Sequence, residues 1–144
     1  MSESQFVEEN PSSRQGVPVW LAGLGGVVAA VVVNLLVLAV GSAVGGELML
    51  VDGGKEHHIV AGGVLFMSVV PYTVGFVLAV LLSYAWTGFL RVAQVVGGAA
   101  GFVSALGPLT ADADLTTRLS LATMHAVLGV VVIVSLELVR RRRV

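Results

Sequence analysis

The chain has 144 residues, of which 56% are hydrophobic and 12% charged, with a formal net charge of −1 and no cysteine. A soluble domain carries about 25% charged residues, so this composition leaves too little polar surface for a water-facing body and points to a membrane protein. Without cysteine, disulfides, thiolate chemistry and cysteine-ligated clusters are excluded.

Residues 1–16 are polar, acidic and rich in Ser and Asn, and read as a disordered cytoplasmic tail. Residues 17–44 then carry no charge, with Trp20 near the start where an amphipathic ring suits the interface. That run exceeds the roughly 20 residues needed to cross the hydrocarbon core. Gly41-Ser42-Ala43 offers small residues of the kind a signal peptidase accepts. The acidic leader and the length of the run favour a retained helix over a signal peptide.

In ELMLVDGGKEHHIV (47–60), two short runs of β-formers flank Asp52-Gly53-Gly54. Asp-Gly is a strong hairpin signal because glycine accepts the positive φ of a tight turn. The alternative is an irregular loop. A second uncharged run extends to Leu90, contains Pro71, and ends near Tyr84 and Trp86. The Gly62-Gly63 pair marks where its helix begins, giving a span over 62–90. Arg91 then stands alone before a third span over 92–109, which is expected to stop at Gly107-Pro108. The fourth covers 115–138, with Asp114 as its N-cap. Residues 140–144 form a basic C-terminus containing Arg140, Arg141, Arg142 and Arg143.

The expected fold is an all-α membrane protein. It is a bundle of four transmembrane helices within 17–139, with a small extracytoplasmic β-hairpin or loop between helices one and two. Positive charge collects on cytoplasmic loops. Placing both termini in the cytoplasm puts Arg14, Arg91 and the four C-terminal arginines inside, and leaves only Lys55 and Arg118 outside. The expected location is the plasma membrane. The arginine run serves as a topology anchor and is also suited to anionic lipid headgroups.

Helices in lipid associate through close packing of small residues at i, i+4 spacing. The third span carries Ala93, Gly97, Gly101 and Ala105, and the first carries Ala22, Gly26, Ala30 and Asn34. The fourth offers Ala122, Ala126 and Gly129. These stripes fit packing inside one bundle. They also fit self-association, which a stripe alone does not distinguish.

Polar side chains at membrane depth are costly and mark candidate sites. Depths counted along the helices place Asn34, Ser68, Tyr72, Ser104 and His125 in one intramembrane cluster, with Gln94 interfacial. Pro71 removes a backbone donor and frees the Met67 carbonyl. Arg118 is seven residues before His125 and shares its face, so Arg118, Asp112 and Asp114 are expected at the outer mouth. For His125, a haem ligand would want a second intramembrane histidine. A metal site would want further Cys, His or carboxylate ligands. A proton relay would want titratable groups continuing inward. The sequence supplies none of these, so a neutral imidazole bonded to Asn34, Ser104 or a backbone carbonyl is the simplest reading. Glu137, beside the arginine run, reads as an ion-pair partner rather than a catalytic acid.

GPLTADADLTTRLSLATMHAVLGVVVI (107–133) carries a resemblance. Gly107-Pro108, Thr117-Arg118-Leu119 and Met124-His125 resemble the uncharacterised four-span membrane protein family catalogued as domain of unknown function 6069, from high-GC Gram-positive bacteria. The resemblance covers about residues 17 to 140; the acidic tail and the Asp52-Gly53-Gly54 loop are not among the features matched to it. It implies four spans and a plasma-membrane location, and it brings no activity, substrate or cofactor.

The function expected from sequence is therefore a structural or accessory membrane component. It is not an enzyme, with no catalytic residue, no cofactor and no metal. Its partners would be the lipid bilayer and another membrane protein or a second copy, and not nucleic acid. The alternative is a small oligomeric transporter or channel using the cluster around His125.

Overall fold

The computed structural model describes residues 17–86 and 88–143. The expected tail over 1–16 lies outside the described residues. Helix α1 (Val19–Ala43) starts after Pro18, whose carbonyl accepts the first bonds of the helix from Leu21 and Ala22. Proline suits this position because its missing N–H would have had no intrahelical partner. The helix ends in a Schellman motif: Gly45 takes φ 86°, and the N–H of Gly46 donates to the Gly41 carbonyl at 2.9 Å.

Strands β1 (Met49–Asp52) and β2 (Lys55–His58) form an antiparallel hairpin, with Asp52 opposite Lys55 and Met49 opposite His58. Gly53 and Gly54 have φ of 56° and 76°, the two positive values of a type I′ turn. The hairpin does not stand free. The Val51 N–H donates to the Asp112 carbonyl at 2.9 Å, and the Leu48 N–H donates to the Thr117 hydroxyl at 3.0 Å.

Helix α2 (Ala61–Ala85) continues through Pro71. It ends sooner than the sequence suggests. Trp86 is extended and the chain turns at Gly88, so Leu90 belongs to α3 (Phe89–Ser104) and Arg91 lies in that helix's first turn. A lone arginine does not break a helix; the backbone leaves it at the extended Trp86. Gly107-Pro108 does not stop the third span either, since a short helix α4 (Leu106–Thr110) carries it on. Pro108 sits in the first turn of α4, where no N–H is needed. Helix α5 (Leu115–Arg143) completes the bundle.

Four helical segments are long and apolar enough to cross a membrane: α1, α2, α3 with α4, and α5. Helix α5 packs most extensively, against α3 and α1; α2 rests mainly on α1 and touches α3 little. The core gathers Ala22, Tyr72, Phe76, Ala79, Leu90, Leu136 and Val139. Large apolar side chains such as Leu24, Leu36, Phe66, Val95 and Val103 face outward, as a lipid-facing surface requires.

The small-residue stripes turn inward. A Cβ added to Gly101 would lie 2.5 Å from the Gly129 Cα, and one added to Gly97 would lie 2.7 Å from Val132. Ala105 is half-buried at the end of the same stripe. On α1, Ala30 is fully buried, and Gly26 lies against the Tyr72 and Ser135 hydroxyls.

Candidate functional site

Because α2 leans on α1 while α3 leans on α5, consecutive helices α2 and α3 are held apart. Between them lies a cavity of about 610 Å³, with α5 as its floor. One wall is α2, with Gly63, Met67, Pro71 and Gly75 at i, i+4 spacing. The other is α3, with Ala93, Gly97, Ala100 and Ser104. The floor includes Met124, His125, Leu128 and Leu136. No Asp, Glu, Lys or Arg lines it.

All five residues of the predicted cluster line this cavity, but they do not form one network. The Asn34 amide donates to the Ser68 hydroxyl at 2.9 Å, tying α1 to α2. The Ser104 Oγ lies 2.8 Å from Nδ1 of His125, tying α3 to α5. Tyr72 is buried, stacks on Phe76 at 5.8 Å between ring centres, and sets its hydroxyl beside Ser135 and Gly26. Helical rise puts both bonded pairs roughly 10–15 Å in from the hairpin end, at similar depth on opposite sides of the cavity.

The Ser104 hydroxyl also donates to the Gly101 carbonyl at 2.9 Å. It has one proton; when that proton goes to Gly101, the hydroxyl accepts from His125 and the imidazole carries its proton on Nδ1. Nε2 is then an acceptor.

Arg118, Asp112 and Asp114 do not form the mouth. That end of the cavity is bounded by His58, Ile59, Val60 and Gly63. Arg118 is drawn aside because its Nε donates to the Ala113 carbonyl at 2.8 Å. Asp114 caps α5: its carboxylate accepts the Thr117 N–H at 3.1 Å and the Thr117 hydroxyl. These bonds, led by the hydroxyl, hold the Asp114 carboxyl below its ordinary value. The backbone of Asp112 serves the hairpin through its carbonyl. No ion pair joins Arg118 to either aspartate; among the described residues, ion pairs occur only at Glu137, with Arg140 at 2.7 Å and Arg141 at 2.8 Å. Gln94, expected at the interface, donates to Glu137 and to the Ile133 carbonyl, both at 3.1 Å, and clamps α3 to α5.

Sequence reasoning gave no packing role to Thr117, Ser120 and Ser135, all buried on α5. Their signal was present: positions 117, 120, 124, 128, 131, 135 and 139 recur at three- and four-residue spacing, as one packed helix face does.

A model of a family of unknown function, DUF6069, matches residues 14–143. The chain belongs to this family. No curated protein and no solved structure matches it. In this DUF6069 protein the motif residues have definite places. Gly107 and Pro108 open α4. Thr117 is fully buried beneath the hairpin, and Arg118 pins the loop before α5. Met124 and His125 face the cavity. With four helices able to span, the DUF6069 chain is a multi-pass membrane protein of unknown activity.

Proposed function

We propose that this protein is an accessory, non-catalytic component of the plasma membrane that holds an apolar membrane constituent in the cavity between α2 and α3, with both termini cytoplasmic. The shape and lining of the cavity carry this reading. The space lies between two helices long and apolar enough to span a membrane, its walls are mostly glycine, alanine and aliphatic side chains, and no Asp, Glu, Lys or Arg lines it. Concave, mostly apolar sites with a few placed polar groups are the usual form of a ligand pocket.

Two alternatives find less support. A transporter of polar solutes needs polar groups along the path. The half of the cavity towards the C-terminal arginines is lined by Gly75, Ala79, Ala93, Val132 and Leu136. A hydrolase would draw on Ser104 and His125, the one hydroxyl–imidazole contact at the cavity. There the serine proton points to the Gly101 carbonyl rather than to the base, and no carboxylate lines the cavity to orient the ring.

Gly75 provides the test. A Cβ added there meets nothing within 4 Å, so Gly75→Leu should place a side chain in the cavity while sparing the bundle. Wild type purified from its membrane in mild detergent should retain apolar lipid on extraction and mass spectrometry. Gly75→Leu should fold equally well and retain several-fold less. Equal lipid content in both proteins would overturn the reading.

A further inference from the structure

We propose that the occupant of the α2–α3 cavity is an uncharged lipid bearing a free hydroxyl, such as a long-chain alcohol, and that its hydroxyl donates to Nε2 of His125. This rests on the cavity being a lipid site and adds the chemistry of the lipid's polar end. The imidazole is presented as an acceptor, because the Ser104–Gly101 bond fixes the Nδ1–H form. Two carbonyl oxygens at this depth are acceptors too. Pro71 lines the wall and has no N–H for the Met67 carbonyl one turn back. Asn34, only 1% exposed, gives one amide N–H to Ser68 and has no donor for Oδ1. Ser68, which accepts from Asn34, keeps its own hydroxyl proton, and the Tyr72 O–H lines the same wall, so the lining offers donors beside these acceptors, and a ligand hydroxyl, which both donates and accepts, matches both.

Charge narrows the class. A phosphate headgroup would want Lys or Arg, and an ammonium would want a carboxylate. Neither type lines the cavity. The chain of the lipid would run towards the C-terminal arginines along Gly75, Ala93 and Gly97, whose missing or small side chains leave the room.

The test uses the full-length protein in detergent and four probes: oleyl alcohol, its methyl ether, dioleoylglycerol and dioleoyl phosphatidic acid. Binding is read by thermal shift and by competition. Wild type should prefer the alcohol over the ether by about five- to tenfold, the size of one hydrogen bond made in an apolar site. Dioleoylglycerol should bind and phosphatidic acid should not compete. His125→Phe should bind alcohol and ether equally. Should that variant fail to fold, Ser104→Ala keeps the imidazole, releases its tautomer, and should lower the preference.

If wild type binds alcohol and ether equally, or favours phosphatidic acid, the hydroxyl assignment is overturned while the lipid site stands. If no probe binds wild type, or if wild type is a dimer that Gly75→Leu makes monomeric, the lipid site fails as well and a second copy takes its place.

Discussion

Thr117 holds three parts of the chain at one point. Its hydroxyl accepts from the Leu48 N–H and donates to Asp114, and its own N–H donates to the same carboxylate. It is fully buried, so Thr117→Val keeps the shape and strands the Leu48 N–H without an acceptor. The cost should be about 1–3 kcal/mol, read as a lower melting temperature in detergent; an unchanged melt would contradict the bridging role. Asp114 adds a pH signature. Its carboxyl lies lower in the fold than in the unfolded chain. The stability it contributes is present above the ordinary carboxylate range and is lost as pH falls through the lowered value. Acidification below about pH 4 should therefore weaken the wild type more steeply than Asp114→Asn, and superimposable acid profiles would refute this. The capping role of Asp114 was legible in sequence, since an aspartate before an apolar run is a strong start signal. The place of Arg118 was not. Seven-residue spacing puts a backbone position on a face, but a long side chain goes to whatever acceptor lies nearby, here the Ala113 carbonyl.

At the scale of helices, glycines divide into those that admit a neighbour and those that leave space. Gly101 is of the first kind, because the atoms its Cβ would meet belong to the Gly129 backbone and cannot swing away. Gly101→Leu should destabilise the bundle by about 3 kcal/mol or more, seen as aggregation or a low melting temperature in detergent. Gly75→Leu should melt like wild type. A wild-type melt for Gly101→Leu would show that α3 and α5 are not in close contact. The i, i+4 stripe on α3 was readable from sequence, since close approach demands small residues at that period. The small-residue face of α2 escaped notice. Met67 and Pro71 interrupt it, and its effect is an opening rather than a contact. Helix ends were read least well. Charge drew the boundary to Arg91, whereas the backbone leaves the helix at the extended Trp86.

For the whole molecule, four spans follow from hydropathy because the bilayer requires every backbone group to be satisfied within a helix. The pairing of those spans does not follow, since lipid is as apolar as the helices and the pattern has no solvent face to report. The cavity between α2 and α3 is a product of that pairing, and so was not foreseen. The proposed orientation is open to a direct check, because the chain contains no native cysteine. Lys55 lies in the hairpin and Arg141 at the other end of α5, both exposed. Lys55→Cys should react with a membrane-impermeant maleimide in intact cells. Arg141→Cys should react only after permeabilisation, and the reverse pattern would invert the topology.

The bonds from Leu48 to Thr117 and from Val51 to Asp112 join segments more than sixty residues apart in the chain. Their consequence lies in biogenesis. While the protein is being made, the hairpin emerges first and finds no docking surface until the final helix has been inserted. A chain truncated before α5 leaves the hairpin unlatched and open to proteolysis. The latch can therefore close only once α5 is in place.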